Sequence, residues 1–143
     1  MKGASLPTWE HFQHVADIGV RGSGRTLAEA FEQAALAMTA VIAEPDTVAE
    51  SETITLSVSA PDVELMLTEW LNALIYEMAT RRMLFARFQV ELRGVELQGR
   101  AWGEPIDVAR HQPAVEIKGA TFTELRVWQS GDGVWHAQCV VDV

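Results

Sequence analysis

Two amphipathic segments set the terms on which this chain can fold. Leu27, Ala30, Phe31, Ala34, Ala35, Met38 and Val41 recur at helical spacing, and Val63, Met66, Leu67, Trp70, Leu71, Leu74, Ile75 and Met78 form a second, wider stripe. Each opens on a start signal. Thr26-Leu27-Ala28-Glu29 has the capping-box form, in which hydroxyl and carboxylate satisfy free amides. Ala60-Pro61-Asp62 puts proline in the first turn and an acid at the positive end of the helix dipole. The first helix should end before Pro45, and Arg81 and Arg82 sit where the second turns negative. Both stripes need an apolar surface to cover them, and the rest of the chain offers strands.

Phe12 to Arg21 alternates, with Phe12, His14, Ala16, Ile18 and Val20 on one side, until Gly22-Ser23-Gly24 breaks the run. Thr53 to Ser59 sets hydroxyls against Ile54, Leu56 and Val58, a strand with one wet face. After the second helix, Leu84, Phe88, Val90 and Leu92 alternate with Arg87, Gln89 and Glu91. Gly94 marks a turn and Val95 to Trp102 a returning strand. Gly103 to Pro113 reads as a loop and Ala114 to Trp128 as a further strand, before Gly131-Asp132-Gly133 turns into the last one. The expected architecture is α+β in the order β-α-β-α-β-β-β-β, a two-layer sandwich with two helices on one face of a mainly antiparallel sheet. No repeat, low-complexity tract or linker divides it, so residues 1–143 are expected to form a single domain.

Charge narrows the function classes. Eleven Lys and Arg face 20 Asp and Glu, a formal net charge of -9, which argues against direct binding to RNA or DNA and for docking on a basic partner. The single Cys139 excludes an intrachain disulfide and a Cys-rich zinc site, and its apolar surroundings mark it as a small core residue. No run approaches the roughly 18 apolar residues of a membrane span, and Met1 to Pro7 lacks the apolar stretch of a signal peptide. A soluble cytoplasmic protein is the expectation.

The chemistry is concentrated at the end of the chain. Val140-Val141-Asp142-Val143 is apolar and β-branched, so it should be held in a sheet, with the Asp142 side chain beside the α-carboxylate of Val143. Two carboxylates held close repel unless a proton or cation lies between them, and a hard divalent metal suits such oxygens. By alternation Asp142 points away from the more apolar strand face. Asp17 lies two residues before Gly19, and Glu116 and Lys118 share a face. Each has an ordinary alternative: Asp17 as a turn residue, Lys118 as a solvated charge, Asp142 as a polar strand end. His14 and His111 are lone histidines, and there is no Gly-rich phosphate loop, zinc spacing or Ser-His-Asp order. On residues alone, a metal-dependent phosphoester hydrolase and a chaperone-like interaction module both stay open.

Five segments in order resemble the archease family. His14-Val15-Ala16-Asp17-Ile18-Gly19-Val20 is similar to its opening signature, and Glu69-Trp70-Leu71-Asn72-Ala73-Leu74-Ile75-Tyr76 to its second helix. Gly103-Glu104 with Asp107 and His111, then Glu116-Ile117-Lys118-Gly119-Ala120-Thr121, and an apolar-Asp-apolar close follow. Val15 stands where threonine is common and Ala73 where an acid is frequent. The resemblance implies an accessory protein, not an enzyme. It would activate an RNA ligase that works through a guanylylated histidine (the RtcB type), promoting guanylylation and repeated turnover in tRNA splicing and RNA repair. It implies a divalent cation, Ca²⁺ first and Mg²⁺ or Mn²⁺ as alternatives, held by Asp17, Asp142 and terminal Val143. Lys118 joins Asp17 and Asp142 in activation, and His14, His111 and Glu116 would support the site from outside. RNA would be met only through the ligase, and no membrane is involved.

Overall fold

The start signals act as the sequence indicates. In this computed structural model, which describes residues 6–143, Thr26 Oγ1 accepts the Glu29 N–H at 3.0 Å, and Glu29 Oε1 accepts the Arg25 N–H at 2.8 Å. That cap opens α1, Leu27–Ile42. Asp62 Oδ1 accepts the Leu65 N–H at 2.9 Å and opens α2, Val63–Arg81, which Arg82 closes in the left-handed region at φ 55. A four-residue α3, Val108–His111, follows much later. Among the described residues no helix is long and apolar enough to cross a membrane.

The strands are antiparallel throughout, in the α+β order expected, and they divide between two sheets. One runs β1 (Thr8–His14), β2 (Asp17–Gly24), β8 (Trp135–Asp142), β6 (Gly119–Ala120), with β7 (Arg126–Gln129) also against β8. The other runs β3 (Glu52–Ser59), β5 (Glu96–Pro105), β4 (Met83–Arg93). The helices serve both sheets. In α1 the residues Ala30, Phe31, Ala34, Ala35, Ala37, Met38, Thr39, Val41 and Ile42 are all buried, more than one stripe wide. One side sits on β2, where a Cβ on Gly22 would lie 2.2 Å from both Ala30 O and Ala34 N. The other lies along β4: Thr39 Oγ1 donates to Phe85 O at 2.6 Å, and Glu32 Oε2 accepts the Val90 N–H at 2.8 Å. Trp70 of α2 donates its indole N–H to Phe31 O at 3.1 Å, while its ring fills the space above Gly99.

Four expectations need correction. The alternation from Phe12 to Arg21 is a hairpin, with Val15 and Ala16 as the turn and His14 paired to Asp17. Because the turn reverses the chain, Phe12 and His14 lie on the face opposite Ile18 and Val20, and Asp17 shares the face of Phe12. Gly22-Ser23-Gly24 continues the strand instead of breaking it, since missing side chains let α1 approach. Ala114 to Lys118 is an irregular strap; only Gly119–Ala120 and Arg126–Gln129 of the expected strand join the sheet. Gly103 and Glu104 belong to β5, not to a loop.

Candidate functional site

β8 is the middle of the larger sheet, and its last turns of pleat gather the residues singled out above. Val141 pairs with Ile18 of β2, so the next step along the same register sets Asp142 beside Asp17. On the other side Gly119 pairs with Asp142, and the Lys118 N–H donates to Asp142 O at 2.8 Å. Alternation then decides the faces. Gly22 and its partner Ala137 look toward α1, so Ile18, Val20, Cys139 and Val141 do too, and Asp17 and Asp142 look outward. Asp17 is half-buried and Asp142 and Lys118 are exposed. Among the described residues neither carboxylate takes part in an ion pair.

The surroundings hold this corner in place. Val15, at the hairpin tip, is 96% exposed with φ 49, a conformation that β-branched side chains rarely adopt. His14 is the cross-strand neighbour of Asp17 on the same face. Gly19, two residues on, lies under the Phe12 ring, on which the Arg21 guanidinium stacks 4.9 Å from the centroid. The two-residue β6 is held by Asn72 of α2: its Oδ1 accepts the Ala120 N–H at 2.9 Å and its Nδ2 donates to Ala120 O at 3.2 Å. Nothing in the stripe pattern marks Asn72, which lies just off the apolar face; its signals are a polar residue flanking a helix stripe and its place in the Glu69 to Tyr76 segment that carries the family resemblance. Thr121 donates backbone and side chain to Val140 O, at 3.0 and 2.8 Å.

His111 and Glu116 are placed differently. His111 Nδ1 accepts the Asp107 N–H at 2.8 Å, so its other nitrogen carries the hydrogen and donates to Glu104 Oε2 at 2.9 Å. Both ring nitrogens are thereby engaged with Asp107 and Glu104. Glu104 also accepts Arg110 Nη2 and the Ala49 N–H, both at 2.7 Å. Hydrogen bonds from Arg110, then Ala49, then His111 hold its carboxyl at about 2, well below the usual carboxylate range. This clasp anchors the start of the strap. The Ala114 N–H to Ile42 O bond at 2.8 Å, buried Ile117 and the Lys118 N–H pin the rest. Glu116 is exposed on that strap, where it borders an open apolar groove of about 760 Å³ that also takes in Ile75, Met78 and Ile117. Cys139 is fully buried, and burial pushes its thiol up to about 12, which removes it as a nucleophile at neutral pH.

Chemically the corner is a set of hard oxygen donors. Among the described residues no group of three or more His, Cys, Asp or Glu side chains stands ready to enclose a metal ion. Carboxylates carried on neighbouring strands of one sheet face suit a hard divalent cation with an incomplete protein shell, since Ca²⁺ takes 6–8 oxygens. They do not suit a soft or structural metal, which thiolate or imidazole would enclose.

A sequence profile of the Archease protein family matches residues 9–143. Protein archease of Pyrococcus furiosus is 37% identical over 139 residues, which cover 94% of this chain and 98% of that protein. Protein archease of Pyrococcus abyssi is 35% identical over 142 residues, covering 96% and 100%. The solution structure of protein 1598 of Methanobacterium thermoautotrophicum is similar at a TM-score of 0.83 and 31% identity, over 94% of this chain and 98% of that one. A crystal structure from Thermotoga maritima, described as an archease and possible chaperone, shares the fold at a TM-score of 0.62 and 19% identity over the whole of both chains.

Proposed function

The chain belongs to the archease family, and from that premise we propose that it is an accessory factor of an RNA ligase that works through a guanylylated histidine. It promotes guanylylation of the ligase and its return to further rounds of joining, in tRNA splicing and RNA repair, and catalyses no reaction alone. The observation that carries this reading is the corner at the end of β8, where Asp17 and Asp142 come side by side on an open sheet face. Lys118 is tied to the same strand by its main chain.

Asp17, Asp142 and the α-carboxylate of a chain ending at Val143 are the proposed ligands of a divalent cation, Ca²⁺ before Mg²⁺ or Mn²⁺. The cation supplies positive charge between carboxylates that otherwise repel, and leaves coordination positions for oxygens outside this chain. Lys118 is exposed and tied by its main chain to Asp142 O, and its ammonium is the proposed contact for a phosphate or an acid of the partner. His14 flanks Asp17 across the hairpin, and Glu116 adds an acid on the strap. A net charge of -9 favours encounter with a basic, RNA-binding ligase and disfavours direct contact with RNA.

The test is multiple-turnover ligation by the cognate ligase with GTP and a divalent metal, with and without this protein. The wild-type chain should raise turnover at least about tenfold, a difference of about 1.4 kcal/mol in barrier. Asp142→Ala and Lys118→Ala should lose most of that gain while remaining folded. An active ligase that gains nothing from the wild-type chain would refute the reading. Hydrolysis of phosphoesters by the chain alone would move Asp17 and Asp142 to a hydrolase.

A further inference from the structure

The smaller sheet treats its two edges differently. Along β4, helix α1 supplies hydrogen-bonding partners, Glu32 to the Val90 N–H and Thr39 to Phe85 O. Among the described residues β3 pairs on one side only, with β5. Soluble proteins blunt an exposed edge with charge, proline or a bulge, because its free N–H and C=O groups invite another strand. From Thr53 to Ser59 there is no charged residue and no proline, and the register with β5 runs unbroken from Glu52↔Gly103 to Ser59↔Glu96. Thr53, Thr55, Ser57 and Ser59 are exposed, while Ile54 is buried and Leu56 and Val58 half-buried.

We propose that this edge pairs with a second copy of the chain, β3 against β3 antiparallel, joining two three-stranded sheets into one of six strands. The sequence selects the register. About a two-fold axis through Leu56, Leu56 meets its own copy, Ile54 meets Val58, Thr55 meets Ser57 and Thr53 meets Ser59. Apolar side chains meet on the core side and hydroxyls on the wet side, with no like charges opposed. A slip of one residue would set hydroxyls directly opposite apolar residues on the same face. Centring on Thr55 instead gives a ladder of equal length but opposes the charged Glu52 to apolar Val58. An edge pair of this length is a small interface, so association is of the weak, concentration-dependent class.

The experiment is sedimentation velocity on the full chain over a range of concentrations, with three double variants at exposed positions. Thr55→Glu with Ser57→Glu, and Thr55→Lys with Ser57→Lys, each set like charges directly opposite one another twice per dimer. Each should weaken association about tenfold, whichever the sign. Thr55→Glu with Ser57→Lys opposes unlike charges at the same points and should associate as well as the wild type. Far-UV circular dichroism and a urea midpoint identify any variant that fails to fold, and the remaining pairs then decide. A wild-type chain that stays monomeric at every concentration overturns the proposal. So does a like-charge variant that associates undiminished, or an unlike-charge variant that dissociates with the others. Ligase stimulation does not depend on any of these outcomes.

Discussion

The two ends of β8 share one sheet face, and they use it in opposite ways. Toward Trp135 the polar side chains satisfy one another. Ser23 Oγ lies 2.8 Å from His136 Nδ1, Ser130 Oγ lies 3.0 Å from Nε2, and Asp132 accepts from Ser130. A single tautomer serves the whole chain, with Ser23 donating to the ring and the ring to Ser130. Trp128 stacks on the imidazole at 4.9 Å, and Gln138 joins Arg21 to the Glu124 carbonyl. Toward Asp142 the same face carries acids that, among the described residues, have no such partners. A closed network offers nothing to a ligand, because each donor already has its acceptor; an open pair of like charges gains by meeting one. Position on the strand is therefore less telling than whether neighbours complete the bonding.

Mutations at the two ends should separate stability from function. His136→Ala removes the centre of the closed network and strands Ser23, which is 7% exposed. It should cost about 2 kcal/mol in a urea unfolding titration and leave ligase stimulation intact. At the open end, Asp142→Ala should shift the same titration by less than about 0.5 kcal/mol, so a large loss there would make Asp142 structural. Asn72→Ala lies between the two. Losing both bonds to Ala120 should cost about 1 kcal/mol and also lower stimulation, since β6 leads directly from Lys118.

Acid gives a finer reading. Burial lowers the His136 pKa, so the unfolded chain takes up a proton first as pH falls below about 6.5. Stability held above that pH should decline as pH drops through the lower folded value, and His136→Gln should flatten the decline. Glu104 acts further down. Its folded carboxyl is held at about 2, so its contribution is complete above about 4.3 and is lost between there and about 2. Thermal midpoints of Glu104→Gln against wild type across that range check it, and a constant difference between them would remove Glu104 from the acid response.

The two long helices were legible because local chemistry decides them: Thr26 and Asp62 cap where the sequence places them, whereas the short α3 fell in what read as a loop. The strand Thr53 to Ser59 was equally plain. The hairpin at Val15-Ala16 was hidden, since it lacks the Asn-Gly or Gly that announces a two-residue turn. The partition into two sheets was not legible either. It depends on α1 being buried on several sides, and its alanines read as part of one stripe. At the site, alternation correctly turned Asp142 outward, but nothing periodic could bring residue 17 to residue 142. That pairing comes from the order β2-β8-β6, a fact of long-range topology, and residue-level reading reached it only through resemblance.

Cys139 has a practical consequence. It is the chain's single thiol, it faces α1 and not the open corner, and burial keeps it protonated across the working range of alkylating reagents. The unmodified sequence is therefore already a silent background for site-directed labelling. One cysteine introduced on the wet side of the sheet would carry a spectroscopic reporter alone, and its signal would test the proposed docking on a ligase without a second site to disentangle.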